Sequence, residues 1–376
     1  MKHPNIIMIL LDGARSDRVQ ESTDFIKLMK EGTLLNNVNT AIPYTIGSVN
    51  VTFSGLYGKD NGIDAYYKMF RLKNSIKILP EKLKEEGYFT ACDLLSDKII
   101  SKRGFDIHQF HDEFNDDLRE RHTKFLKQCK EESGDKPMFI FLHFTRIHTL
   151  TVSEILKKYE WNNKEFYKNK EKNLINYDKG FQEAGSYSKL IKETINELKI
   201  EDETIIIFFS DHGTGVGERF GERNYGSFTF EETIRSFYLF MGKSIIKNRI
   251  NSNLRETIDI FPTILDLIGL EKIKLPGESI SNFLTNKNEK LENKEFVFSE
   301  TGALQGPYPS PKEPNMFCIK NSNYKLIFNK SNDEWQLYNL IMDPNEKENI
   351  FEQNLKMSKE LQEKLISWIN RKEIVQ

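Results

Sequence analysis

Residues 204–213 read TIIIFFSDHG. The apolar run Ile205 to Phe209 is too short to cross a bilayer, which takes roughly 20 residues, and it lacks the alternation of a half-exposed strand. It predicts a strand buried on both faces, the kind found in parallel sheets. Polarity changes abruptly at its end, where Ser210, Asp211 and His212 set oxygen and nitrogen donors side by side and Gly213 permits a sharp exit. Ligands of open α/β sheets gather at the carboxyl ends of the strands. Working outward, Ile6 to Leu11 is a second such run and ends in Asp12; Met138 to Leu142 is a third, ending in His143 with His148 on the same loop. A shared sheet would bring these distant side chains together.

The 376 residues suffice for one large α/β domain or two ordinary ones. Basic and acidic residues nearly balance, 54 against 56 for a net charge of −2, and the lysines are interleaved with glutamates instead of forming a stripe. Nucleic acid is therefore not an expected partner. No apolar stretch approaches the length of a membrane helix, so no integral membrane association is expected. Cys92, Cys129 and Cys318 are scattered and form neither a disulfide framework nor a CxxC pair. This pattern fits a reducing compartment, and the expected location is the cytoplasm. Oligomeric state has no signature in the chain.

In chain order, Asp12-Gly13-Ala14-Arg15-Ser16-Asp17 is a tight turn presenting a carboxylate and then a guanidinium. Taken alone, Asp12 reads first as the cap of a strand-loop-helix turn. Thr45 precedes a helix expected between Gly47 and Gly55, and a hydroxyl there is by itself an ordinary cap. Leu79-Pro80 opens another helix that Gly87 closes, ahead of a strand over 88–95. Residues 151–180 are polar and lysine-rich, which predicts a solvated helical insertion. Apolar residues at Leu190, Ile191, Ile195 and Leu198 follow helical spacing straight into the strand at 205–209. The glycine-rich stretch 213–226 is long enough for a lid or specificity loop. Strands are expected over 237–241 and 295–299, a helix over 264–268, a hairpin over 324–340, and a last helix burying Leu361, Leu365, Trp368 and Ile369.

Two aspartates and a histidine at the ends of buried strands form a hard, mixed oxygen and nitrogen set, suited to Mn²⁺, Zn²⁺ or Mg²⁺. Ordinary buried polar side chains at strand ends give the same letters. A threonine hydroxyl is a poor nucleophile near neutral pH, and a coordinated divalent cation lowers its pKa. Positive charge around the substrate's non-bridging oxygens has Arg15, His143 and His148 as candidates.

These residues carry a resemblance that runs along nearly the whole chain. PNIIMILLDGARSD at the start, SGLYGKDNG after Thr45, PMFIFLHFTRIH at 137–148, FFSDHG, FTFEETIRSF at 228–237, DIFPTILDLIGL at 259–270 and WQLYNLIMDPNEKENI at 335–350 are similar, in this order, to the sulfatase-like branch of the alkaline phosphatase superfamily. The resemblance implies an alkaline-phosphatase-like α/β fold with a mostly parallel central sheet flanked by helices. It further implies a catalytic domain over 1–305 and a C-terminal subdomain, a small antiparallel sheet plus helix, over 306–376. It implies a divalent metal ion (Mn, Zn, Mg or Ca) held by Asp12, Thr45, Asp211 and His212.

The departures from the family pattern matter as much. Sulfatases carry Cys-x-Pro-Ser-Arg, whose cysteine matures to formylglycine, where this chain reads Thr45-Ile46-Gly47-Ser48-Val49. Branches with an unmodified threonine act on phosphoesters. Gly13 stands where a second aspartate is usual, Tyr225-Gly226 where many relatives have His-Gly, and Arg146-Ile147 between the paired histidines in place of Asp-Pro. One metal site is expected, with the ligand set of a second incomplete. The leading expectation is a hydrolase of small-molecule or glycan phosphoesters, acting through Thr45 and a phosphothreonine, with Arg15 and His148 catalytic and Arg15, His143 and His148 binding substrate. The alternatives are sulfate ester hydrolysis without formylglycine, transfer to a sugar or lipid hydroxyl, and a non-catalytic binding protein.

Overall fold

The computed structural model describes residues 3–68, 71–156, 160–270, 274–302, 306–308 and 312–374. Its central sheet is built from β1 (Asn5–Leu11), β2 (Gly32–Asn39), β3 (Phe89–Leu94), β4 (Ile107–Phe110), β5 (Met138–Phe144), β6 (Thr204–Phe209), β7 (Arg235–Gly242), β8 (Arg249–Asn251) and β9 (Arg255–Glu256). The order is β4-β3-β5-β1-β6-β7-β2-β8, with β9 also pairing with β2. β1 lies in the middle and pairs in parallel with β5 on one side and β6 on the other. Its successive side chains point to opposite faces. Ile6, Met8 and Leu10 enter one core, while Ile7, Ile9 and Leu11 enter the other, so both faces of the sheet are covered.

Register places the site. Leu10 lies level with Phe209 on β6 and with His143 on β5. Asp12 and Asp211, each two residues beyond that level, therefore emerge side by side at the carboxyl end of the sheet, as the sequence predicts.

β7 runs antiparallel to both β6 and β2. The chain stays at the site end of the sheet from Ser210 to Ile234 and re-enters without a crossover helix, and a return of that kind must be antiparallel. β2 escapes the sequence reading because a register shift between Leu35 and Val38 interrupts its pattern at Asn36 and Asn37.

A second sheet of four antiparallel strands comprises β10 (Val297–Thr301), β11 (Met316–Lys320), β12 (Tyr324–Asn329) and β13 (Glu334–Asn339). Its first strand precedes residue 306, so the sheet straddles the boundary expected from the sequence. The helix Leu355–Asn370 buries Leu361, Leu365 and Trp368 against the core, and Ile369 is only partly covered. Among the described residues, no helix is long and apolar enough to cross a membrane.

Candidate active site

The helix Thr45–Ser54 starts at the carboxyl end of the sheet and is buried along its whole length. Gly55 ends it in the left-handed region, at φ +68°, where its amide donates to the Val51 carbonyl. Thr45 is the first helical residue, so its hydroxyl sits where unpaired amides and the helix dipole favour negative charge. One turn on, Ser48 Oγ donates to the Asp211 carbonyl at 2.8 Å and ties the helix to the end of β6.

Thr45 Oγ1 lies 3.4 Å from Asp12 Oδ1 and 3.3 Å from His212 Nε2. His212 Nδ1 donates to the Gly213 carbonyl at 2.7 Å, an assignment that leaves a lone pair on Nε2. Asp211 Oδ1 accepts from the amides of Gly13 and His212, at 3.2 and 2.9 Å. Its Oδ2 is buried with no hydrogen-bond partner and lies 3.3 Å from His212 Nε2.

Burial acts against the charge on both acids. At Asp12 it is outweighed by the hydrogen bond from His143 and by the nearby imidazoles, which hold the carboxyl well below its usual range. At Asp211 burial prevails, the neighbouring Asp12 charge adds to it, and the pKa is raised. Two dry carboxylates beside a bare imidazole nitrogen, with one oxygen left unpaired, are the donor set a divalent cation requires. The cation implied by the resemblance therefore fits Asp12, Asp211 and His212, with Thr45 alongside.

His143 is fully buried behind these ligands. The Leu95 amide donates to its Nδ1 at 3.4 Å, and its Nε2 donates to Asp12 Oδ2 at 2.9 Å. It orients a ligand of the expected metal. His148 lies further out; its Nε2 is 3.0 Å from the Tyr225 hydroxyl and its Nδ1 is 3.4 Å from Glu113 Oε2. Burial alone would lower the His148 pKa, but the hydrogen bond to Glu113 and the charges of Asp12, Glu113 and Asp211 outweigh it and raise the value.

Arg15 is the expected site residue that the structure does not bring into this group. Its guanidinium is held by Asp17 at 2.9 Å and by Glu218 at 2.6 Å, and it also donates to the Thr214 carbonyl at 3.2 Å. Both of its carboxylate partners come from the turn after β1 and the loop after β6, so the guanidinium clamps one to the other.

Other contributors were not legible beforehand. Tyr177, from the long helix Lys170–Glu197, accepts from the Arg15 amide and donates to the Gly13 carbonyl, each at 2.7 Å. Thr214 Oγ1 donates to the same carbonyl at 2.8 Å. Gly13 itself sits at φ +70°, and a Cβ there would lie 2.7 Å from Thr214 Oγ1, so this turn has no room for the second aspartate of the family pattern. The Tyr225 ring packs on His212 with centroids 4.2 Å apart, and Glu113 comes from the segment after β4. No periodic or motif signal marks a hydroxyl on a polar helix or an acid in an irregular segment.

The stretch 213–226 is folded inward. Glu222 is buried and accepts from the Ser227 and Phe228 amides at 3.0 and 2.7 Å, and burial pushes its pKa up to about 8.

Comparisons with known proteins agree with this fold. Residues 4–270 match the family model described as Sulfatase, and residues 222–373 match that of N-sulphoglucosamine sulphohydrolase, C-terminal. The N-acetylglucosamine-6-O-sulfatase of Bacteroides thetaiotaomicron is 32% identical over 167 residues, which are 42% of this chain and 28% of that protein. The matched segment thus spans under a third of that relative. A solved structure in complex with its substrate D-glucosamine-2-N,6-O-disulfate superposes with a TM-score of 0.74 over 98% of this chain and 97% of the other, at 17% identity. The phosphonate monoester hydrolase of Agrobacterium radiobacter does so with a TM-score of 0.72 over 97% and 95%, at 16% identity. The sulfatase model covers well over half of the residues, including both aspartates, the threonine and the histidines just described, and the chain belongs to the sulfatase family.

Proposed function

We propose that the protein hydrolyses a sulfate ester on a sugar or other small alcohol, with Thr45 as nucleophile. The observation that carries this reading is the hydroxyl of Thr45 at a buried helix start, 3.4 Å from Asp12 and 3.3 Å from His212. A divalent cation bound by Asp12, Asp211 and His212 would acidify that hydroxyl and offset the charge of the ester oxygens. Thr45 Oγ1, its proton released to solvent, attacks the sulfur, and the alcohol departing as the S–O bond breaks takes a proton from His148, whose pKa Glu113, Asp12 and Asp211 raise against the burial that would lower it. Threonine offers a single oxygen, so water must then attack the sulfated Thr45. Neutral His148 accepts the water's proton, sulfate leaves and the hydroxyl is restored. Support for sulfate and for a sugar comes from the names of the relatives, a glucosamine sulfatase among them.

A second reading, cleavage of a phosphoester or phosphonate ester, is favoured by Thr45 itself. This chain has an unprocessed alcohol where the sulfatases it resembles mature a cysteine. One experiment orders the two readings: kcat/KM for the 4-nitrophenyl esters of sulfate, phosphate and phenylphosphonate, with Mn²⁺, Zn²⁺, Mg²⁺ and Ca²⁺ supplied in turn. Faster sulfate turnover supports the first reading, and faster phosphorus ester turnover replaces it with the second. A metal-loaded protein inert toward all three esters, and toward sulfated and phosphorylated sugars, defeats both and leaves a binding protein.

A further inference from the structure

Behind the site lies a second convergence of ligand-type side chains, made by Asp93 on β3, His111 just after β4, and His122 on the helix Leu118–Ser133. All three are buried, and each places one donor atom within 4.8 Å of the other two. Among the described residues this is the only such group besides Asp12, Asp211 and His212.

Its electrostatics are those of a site with lone pairs to spare. His111 Nδ1 lies 3.0 Å from Asp93 Oδ1, while the other carboxylate oxygen accepts from Arg121 Nε at 2.6 Å. His122 Nδ1 is 2.6 Å from the Tyr187 hydroxyl. That accounts for one nitrogen of each imidazole. Nε2 of His111 and Nε2 of His122 are both buried with no hydrogen-bond partner. Buried polar atoms are ordinarily paired, so two orphans on adjacent rings, with centroids 5.7 Å apart, call for a common partner. Burial lowers the pKa of both rings, that of His122 to about 3, so neither imidazole is charged at neutral pH and each keeps a lone pair.

We propose that Asp93, His111 and His122 form a second metal site, for a divalent transition ion such as Zn²⁺, distinct from the catalytic cation. Two imidazoles and one carboxylate match the ligand preference of zinc, cobalt or nickel over calcium. Arg121 and Tyr187 would orient the carboxylate and one ring from outside, as outer partners of metal ligands do. The ion would staple the outer strands of the sheet to the helix that covers them. It would stand one ring behind the catalytic centre, because the His111 ring is 6.0 Å from that of His143, which holds Asp12.

The test uses the full chain carrying Asp211→Ala to weaken the catalytic metal site, stripped with chelator, reloaded with ZnCl₂ and desalted. Bound zinc per chain is measured by elemental analysis, and Tm is measured with and without zinc. His111→Gln and, separately, His122→Gln in that background are expected to lower the stoichiometry by one zinc per chain and to abolish the zinc-dependent rise in Tm. An unchanged stoichiometry in both variants overturns the proposal. Should the variants misfold, Co²⁺ is added to the Asp211→Ala chain: visible absorption of a low-coordinate site with nitrogen ligands is expected, and its absence is equally fatal.

Discussion

Replacing Glu113 with glutamine should move the alkaline limb of the pH–rate profile down by about 1–2 pH units. Glu113 Oε2 is 3.4 Å from His148 Nδ1. Unit charges at that range attract by roughly 5 kcal/mol at an effective dielectric near 20, an upper bound of about three and a half pKa units. The two side chains are 15% and 18% exposed, and Asp12 and Asp211 would still act on the ring, so about 1–2 units remain for Glu113 alone. The sign follows from which form works. Protonated His148 is the acid, its pKa is raised in the fold, and activity is lost as pH rises through that raised value; removing the carboxylate brings the loss to lower pH. Stability obeys the same linkage. Glu113 stabilises the fold fully below the unfolded histidine pKa of about 6.5, and the effect disappears as pH rises through the folded pKa. The assay is kcat/KM by direct quantification of the released acid anion across the pH range, with chemical denaturation at matched pH. A limb that stays in place while kcat falls would refute both the role of His148 and the reason given for its pKa.

Three further outcomes can be measured with the same preparations. Thr45→Ala should cut kcat by at least about 10³-fold while bound metal per chain stays constant, because the methyl group removes the attacking oxygen and leaves the other three ligands; retained turnover would reassign the nucleophile. Gly13→Ala should destabilise by about 1–3 kcal/mol in denaturant unfolding, since it combines a left-handed backbone with a Cβ placed 2.7 Å from Thr214 Oγ1; an unchanged midpoint would mean that the turn relaxes freely. Arg15→Met should cost about 3 kcal/mol of stability, the low end for a broken buried pair because Asp17 is half exposed, with KM nearly unchanged. A large rise in KM without loss of stability would instead return Arg15 to the substrate.

The fold was legible where apolar runs end in chemistry. Ile205–Phe209, Ile6–Leu11 and Met138–Leu142 announce their strands because nothing polar interrupts them, and register alone then brings Asp12, Asp211 and His143 together. β2 was hidden by Asn36 and Asn37 at an irregularity in its pairing, and the antiparallel course of β7 depends on how the preceding loop returns, which no local pattern encodes. The same division holds at the site. Ligand-type residues at strand ends could be named, and Thr45 could be placed by motif order, but what each one faces could not. Arg15 carries the right charge in the right motif, yet Asp17 and Glu218 occupy its guanidinium, and Glu218 comes from a loop some 200 residues away. His143 was expected on substrate and instead braces Asp12 from the rear.

The polar stretch ahead of β6 looks expendable in sequence, the sort of segment exchanged between homologues to borrow specificity. Its Tyr177 hydroxyl holds both the carbonyl of Gly13 and the amide of Arg15, so the segment is a buttress of the turn that carries Asp12. A chimera that imports this region from a relative without an equivalent phenol would loosen the first acidic ligand before it altered any pocket wall. Redesign of substrate range in this protein is better aimed away from the helix that carries Tyr177.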